Sequence, residues 1–284
     1  MLEKNENIFY FDAHFHLADC VYDDIPLPGN DIEWYACTCS HSKEEWEITE
    51  RFTALRQAQG VVRFANLPSF LRKLAGQQIY LSYGLHPQSA GHINVEENAA
   101  FLEQLLQQNK LNAIGEAGFD YFNEEFRKQA ATQEEMFNMQ LDLAIQYNLP
   151  LIVHCRKANE KLFEYSKQLK KLPSVLFHSF MGMPNEARSL LDRGINAYFS
   201  FGKQVMNNNK KVIACVRELP EQVLLTETDA PWQFLKGETH TAPEDIKKIF
   251  EAFCQIRQTA PEQLAQILKN NFYNLFSQNS NTKS

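Results

Sequence analysis

Hydrophobic positions along the 284-residue chain fall into short, near-continuous apolar runs, and most runs are followed by a segment with helical spacing. Near-continuous runs are typical of parallel strands that are buried on both faces. Eight such runs predict strands at Ile8–Asp12, Glu33–Cys39, Ile79–Leu85, Ala113–Ala117, Leu151–His154, Val175–His178, Ala197–Phe201 and Val223–Thr226.

Amphipathic segments separate these runs, and three of them predict helices at Glu124–Tyr147, Pro184–Arg193 and Pro261–Phe276. The first and third place their apolar side chains on one stripe. The second begins with proline and is followed by Gly194, which are the usual signals for the start and the end of a helix. The stretch Val21–Asn30 contains two prolines and a glycine, and it predicts an irregular loop.

Eight alternating strand–helix units without a linker predict an α/β fold of a single domain, a (β/α)8 TIM barrel over residues 1–276. A doubly wound open sheet is the alternative. Residues 277–284 are polar and predict a frayed C-terminal tail.

Composition narrows the class of protein. Hydrophobic residues make up 44% and charged residues 22%, no apolar run is long enough to cross a bilayer, and no signal pattern opens the chain. We therefore expect a cytoplasmic protein with six free cysteines, since the CxC of Cys37 and Cys39 lacks a second close pair. The net charge of −7 argues against a protein that coats nucleic acid. It leaves room for a nucleic-acid enzyme, because bound cations supply positive charge locally.

Metal-ligating residue types recur at the ends of predicted strands. His14 and His16 follow the first strand as HFH, and residues i and i+2 of an extended chain point to the same side. Glu116 ends the fourth strand, where a buried carboxylate needs a charged partner or a metal. The flanking Gly115 and Gly118 allow close approach of another backbone.

His154 and His178 each end an apolar run, and Asp229 follows the eighth strand. In a TIM barrel the active site lies at the carboxyl ends of the strands. Structural histidines and carboxylates have no reason to prefer that end, so the pattern predicts a metal centre. Asp120 remains an alternative to Glu116 as a ligand, or a residue that orients one.

The chain resembles the TatD family of metal-dependent deoxyribonucleases, within the amidohydrolase superfamily, over nearly its whole length. The resemblance rests on FDAHFH, YGLHP, GEAGFDY, QLDLAIQYNLPLIVHCR, FHSFMG, YFSFG, LLTETDAPW and NFYNLF, which occur in the family's order. Residues 17–42 match poorly, Phe119 replaces a leucine, and Trp232 stands where the family more often has tyrosine or another aromatic residue.

The resemblance implies two divalent metal ions. It assigns His14, His16 and Asp229 to the first ion, His154 and His178 to the second, and Glu116 to both. It also implies that a metal-bound hydroxide attacks phosphorus while Asp229 accepts the proton, in a 3′–5′ exonuclease acting on DNA. Histidine and carboxylate ligands suit zinc, magnesium, manganese or cobalt.

Substrate contacts are predicted for His86 and Arg156, which could grip a phosphate; a salt bridge is the alternative for Arg156. Trp232 and Tyr121 could stack on a base or simply pack. Lys203 follows a strand and is expected to face the barrel mouth. His41, His92 and His240 lie in loops with no recognisable metal-ligand setting.

Two other functions are also compatible with the sequence. The same centre could hydrolyse a small C–N or C–O substrate, or the chain could be a scaffold that has lost its chemistry. We expect DNA or an oligonucleotide as the binding partner, with no membrane and no obligate protein partner.

Overall fold

The computed structural model describes residues 8–29, 32–57 and 78–276. They contain eight strands: β1 Phe9–Phe15, β2 Glu33–Ser40, β3 Gln78–Tyr83, β4 Ala113–Asp120, β5 Leu151–Arg156, β6 Val175–Phe177, β7 Ala197–Phe201 and β8 Leu224–Thr226. All strand pairs are parallel, and the spatial order follows the chain from β1 to β8. The predicted TIM barrel is therefore confirmed, and the doubly wound sheet is not found.

The barrel closes between β8 and β1. Thr226 Oγ1 donates a hydrogen bond to the Phe11 carbonyl at 2.5 Å. Beyond the end of β8, the Asp229 amide donates to the His14 carbonyl at 2.9 Å and the His16 amide donates to the Ala230 carbonyl at 2.8 Å. These bonds fix the loop after β8 against the end of β1.

Eleven α-helices lie between and after the strands of the described residues. They are α1 Leu17–Tyr22, α2 Lys43–Gln57, α3 Val95–Gln107, α4 Glu124–Lys128, α5 Ala130–Tyr147, α6 Asn159–Glu164, α7 Ser166–Leu169, α8 Pro184–Asp192, α9 Lys210–Glu218, α10 Ile246–Arg257 and α11 Pro261–Phe276. The apolar stripe predicted for α11 is buried, as expected for a helix packed on the barrel.

Burial along the strands agrees with the continuous apolar runs of the sequence. All eight residues of β4 and all five of β7 are buried. A strand of this kind faces the barrel interior on one side and the helices on the other.

The predicted bounds of β7 match the structure, and those of the other seven strands differ by one to three residues at one or both ends. Two larger differences concern a helix and a loop. The helix expected over Glu124–Tyr147 is two helices with a break at Gln129, where the Gln133 side chain donates a 2.8 Å hydrogen bond to the Phe126 carbonyl. The loop expected over Val21–Asn30 begins only after α1, which continues through Tyr22.

Lys203 was expected at the barrel mouth, and this prediction was wrong. Its side chain is buried, and its ammonium lies 2.6 Å from Glu238 Oε2 and 2.7 Å from Asp245 Oδ2. Burial alone would raise the pKa of Asp245, but Lys203 and Lys248 hold it below its usual value. The ion pairs of Lys203 thus link the segment after β8 to the end of β7.

We expect Lys203→Met to lower the free energy of unfolding by about 1–3 kcal/mol, because buried Asp245 then keeps only the exposed Lys248 and the partly exposed Glu238 loses its cation. Urea denaturation of the metal-free protein measures this, with the exposed Lys236→Met as the matched control. Since the ionised form of Asp245 is favoured in the folded state, the difference should shrink as the pH falls below about 4. Equal denaturation midpoints for Lys203→Met and the control would refute the structural role.

Within the described residues no helix is long and apolar enough to cross a membrane. The predicted tail at 277–284 lies outside the described residues, and the domain boundary at residue 276 stays a prediction.

Candidate active site

The six predicted ligand residues meet at the carboxyl ends of the strands. They surround or underlie a cavity of about 530 Å³. They come from five strands or strand ends and comprise His14, His16, Glu116, His154, His178 and Asp229. Three local expectations need correction. His14 lies within β1, Glu116 lies in the middle of β4 and His154 lies within β5, rather than after or at the end of a strand.

One cluster of ligand atoms forms around His14 and His16. Their Nε2 atoms are 3.2 Å apart, and Asp229 Oδ1 lies 3.4 Å from the first and 3.1 Å from the second. Glu116 Oε2 lies 3.3 Å from His14 Nε2 and 3.6 Å from His16 Nε2. Four donor atoms from four residues therefore point at one small volume.

A second cluster forms on the other side of Glu116. Its Oε1 lies 2.7 Å from His178 Nε2 and 3.4 Å from His154 Nδ1, and these two nitrogens are 3.2 Å apart. The two oxygens of Glu116 thus face different groups of histidines.

Gly115 and Gly118 explain how β4 brings Glu116 to this position. Both have positive φ, at 146° and 151°. A Cβ on Gly115 would lie 2.6 Å from the Cβ of Ile152, and a Cβ on Gly118 would lie 1.9 Å from the His154 carbonyl oxygen. Only glycine allows β4 to pass this close to β5, which carries His154.

Neighbouring groups orient the histidine rings. His154 Nε2 lies 3.2 Å from Asp120 Oδ2, so that nitrogen donates to the carboxylate and Nδ1 faces the cluster. His14 Nδ1 lies 3.2 Å from Cys39 Sγ, which leaves Nε2 facing inward. Metal-binding histidines are commonly held by a partner on the second ring nitrogen. Asp120 is thus placed to orient a ligand, the second of its two predicted roles.

His41 and Cys39 were not recognised as part of the site. His41 directly follows β2, and its Nε2 lies 3.0 Å from Glu116 Oε2. The expectation that His41 is a loop residue away from metal-ligating side chains was therefore wrong. Both residues end the apolar run of β2, which is the signal that could have found them. Neither His92 nor His240 lines the cavity.

His86 lies inside the cavity, close to the predicted ligand residues, and not at the rim, where a residue that contacts only substrate would lie. Its Nε2 is 3.3 Å from His154 Nδ1 and 3.8 Å from Glu116 Oε1. The Gln88 amide donates to its Nδ1 at 3.2 Å, so in the neutral ring Nε2 carries the hydrogen. Burial lowers the pKa of His86 well below its usual value, which favours this neutral form.

Arg156 and Trp232 both line the cavity, as expected for residues that contact substrate. The Arg156 guanidinium lies 3.5 Å from the centre of the Phe122 ring. The Trp232 side chain is half exposed, and its Nε1 donates to Asp19 Oδ2 at 3.1 Å. Tyr121 is partly buried against the core, which favours its packing role.

The charge of the centre suits a cation. Burial alone would raise the pKa of Glu116 and of Asp229, but neighbouring histidines hold the pKa of Glu116 well below its usual range and lower that of Asp229 as well. Burial lowers the pKa of His178 to about 4, so this ring is neutral and offers a lone pair. Ionised carboxylates and neutral imidazoles are the forms that bind metals. Burial would lower the pKa of His14 and of His154, but neighbouring acidic groups raise the pKa of His14 and raise that of His154 to about 9, so binding of a cation would release a proton from each of these two rings.

The distances between the donor atoms also suit a divalent cation. A tetrahedral or octahedral zinc ion at about 2.0–2.1 Å from each ligand requires neighbouring donors roughly 3.0–3.4 Å apart. The distances in the first cluster run from 3.1 to 3.6 Å. His16 and His178 also turn Nε2 inward, and their buried Nδ1 atoms have no hydrogen-bond partner among the described residues. The residues present therefore fit a divalent cation.

Comparison with known proteins identifies the family of the chain. The sequence matches a family model described as "TatD related DNase" over residues 11–277. The chain belongs to this family.

Relatives match between about three fifths and nearly all of the chain. An uncharacterized metal-dependent hydrolase, YabD of Bacillus subtilis, is 31% identical, and the match covers 94% of this chain and 98% of that protein. A protein of Cronobacter turicensis named 3′-5′ ssDNA/RNA exonuclease TatD is 36% identical over 58% of this chain and 61% of its own. The crystal structure of YjjV, a TatD homolog from Escherichia coli, superposes with a TM-score of 0.75 at 25% identity, covering 94% of this chain and 97% of the other.

These matches confirm the predicted family, and with it an enzyme of the metal-dependent hydrolase class. They also confirm the predicted barrel.

Proposed function

We propose that the protein is a two-metal phosphodiesterase that removes nucleotides from the 3′ end of DNA. The observation that carries this proposal is the position of Glu116, whose two carboxylate oxygens face two separate groups of histidine nitrogens. The relative from Cronobacter, which is named a 3′-5′ ssDNA/RNA exonuclease, supports the choice of a nucleic-acid substrate.

In this proposal two divalent ions would be bound. His14, His16 and Asp229 would hold one ion, His154 and His178 would hold the other, and Glu116 would contribute to both. Bound cations of this kind lower the pKa of water and stabilise charge on phosphoryl oxygens.

The surrounding side chains perform the remaining tasks. Asp229 is ionised at neutral pH, so it is able to accept the proton of the attacking water. His86 offers an Nε2 hydrogen to a phosphate oxygen, and Arg156 offers its planar donors at the cavity wall. The half-exposed Trp232 provides a flat surface on which a terminal base can stack.

Arg156 distinguishes phosphodiester hydrolysis from the alternative of C–N or C–O hydrolysis. A charged hydrogen bond contributes about 1.5–3 kcal/mol, so Arg156→Ala should raise KM for bis(4-nitrophenyl) phosphate by roughly 10- to 100-fold. Steady-state kinetics measure this, with the exposed Arg217→Ala as the control. Unchanged diester kinetics, together with hydrolysis of a carboxylic ester or lactone, would favour the alternative.

The proposed polarity is tested by digesting 5′-labelled single-stranded DNA with a free or a blocked 3′ end. We expect a ladder that shortens from the free 3′ end with Mg²⁺, Mn²⁺ or Zn²⁺, and no products in EDTA. The blocked strand should resist. Digestion that ignores the block, or that needs no metal, contradicts the proposal.

A further inference from the structure

A second cavity lies beside the active site. Its volume is about 510 Å³, and Met181 lines both this cavity and the catalytic one, so the two are neighbours. We call it the lysine cavity because three lysines line it: Lys157, Lys210 and Lys211. Glu160 is the one carboxylate among its lining residues.

The positive charge of the lysine cavity contrasts with the rest of the molecule. The chain carries a net charge of −7, whereas three lysines against one glutamate leave this cavity positive. All three lysines are exposed. Among the described residues, no carboxylate lies within 4.0 Å of their ammonium groups. These charges are available to an outside anion.

Phe122 connects the lysine cavity to the catalytic one. The Arg156 guanidinium lies 3.5 Å and the Lys157 ammonium 4.4 Å from the centre of its ring. Lys157 also donates to the Phe122 carbonyl at 3.3 Å. Arg156 lines the catalytic cavity and Lys157 lines the lysine cavity. The Phe122 ring therefore makes cation–π contacts with one cation from each cavity.

A chain of phosphates is the anion that matches this arrangement. A single small anion needs one compact site, whereas these cations extend from the catalytic cavity, past Met181, into a second open cavity of similar size. Positively charged grooves that follow the backbone are the usual way in which proteins hold single-stranded nucleic acid.

We propose that the lysine cavity binds the backbone phosphates of a single-stranded nucleic acid whose scissile phosphate lies at Glu116. This inference rests on the proposed function, because it assumes a polynucleotide substrate. It adds that the enzyme prefers strands of several nucleotides over dinucleotides and small diesters.

The test compares Lys157→Gln/Lys210→Gln/Lys211→Gln with a matched control, Lys167→Gln/Lys170→Gln/Lys171→Gln. The control removes the same charge from exposed lysines just before β6, at the opposite end of the barrel. The substrates are oligo-dT of 2, 4, 8 and 12 nucleotides and bis(4-nitrophenyl) phosphate. Anisotropy of a labelled dT 12-mer in EDTA reports binding without catalysis.

For the lysine-cavity variant we expect KM for the 12-mer to rise on the order of 10- to 100-fold, while the small diester and dinucleotide are unaffected. Each phosphate contact contributes about 0.7 to the slope of log affinity against log salt for single strands, so the slope should fall by about 2. The control variant should behave like the wild type.

The outcomes separate this inference from the proposed function. If the wild type cleaves the 12-mer and the lysine-cavity variant has the same KM and the same salt slope, the proposed role of the lysine cavity is overturned and the proposed activity is not. Binding of the 12-mer that depends on these lysines, without its cleavage, supports the cavity and overturns the proposed activity. Failure of the wild type to bind or cleave the 12-mer overturns both.

Discussion

Glu116→Ala is expected to reduce kcat for single-stranded DNA by about 1,000- to 10,000-fold. Glu116 contributes one oxygen to each histidine cluster. Its loss removes stabilisation of several kcal/mol from the transition state, which corresponds to this change in rate. The measurement is single-turnover digestion of end-labelled DNA at saturating metal.

Metal content gives a second readout for the same variant. The wild type should carry two divalent ions per chain after dialysis, and Glu116→Ala should carry one or none. Glu103→Ala, at an exposed glutamate of α3, should match the wild type in both assays. Full activity and two bound ions in Glu116→Ala would show that this carboxylate does not bridge the centre.

The second large effect is expected from Asp229→Asn, which should lower kcat by about 100- to 10,000-fold while the protein stays folded. Asparagine has the same shape but cannot accept a proton, and proton transfer by a positioned side chain contributes a factor of this size. Asp229 Oδ2 accepts a hydrogen bond from Gln233 at 2.5 Å, and its Oδ1 faces His14 and His16.

Pre-steady-state kinetics at fixed metal concentration check this prediction. Asp192→Asn, at an exposed aspartate where α8 ends, serves as the matched control. A loss of less than tenfold in Asp229→Asn would assign the proton to another group.

Most of the fold could be predicted from local sequence. Parallel barrel strands are buried on both faces, so they appear as apolar runs, and the alternation with amphipathic helices defines the architecture. The position of the centre followed from the same pattern, because ligand residue types stand at the carboxyl ends of several runs. The family resemblance supplied the pairing of ligands into two groups.

Contacts between distant segments could not be predicted in this way. Lys203 is buried because Glu238 lies beside it, 35 residues later in the chain, and nothing near Lys203 indicates that partner. His41 reaches Glu116 only because β2 and β4 end at the same rim, 75 residues apart. The ring nitrogen that each histidine presents depends on partners such as Cys39 and Asp120, which become visible only in three dimensions.

The proposed position of Glu116 between two metal ions can be tested by anomalous diffraction from a crystal grown with Mn²⁺ or Zn²⁺. We expect two anomalous peaks, one beside His14 and His16 and the other beside His154 and His178, with one Glu116 oxygen directed at each. A single peak, or two peaks that Glu116 does not contact, would contradict it.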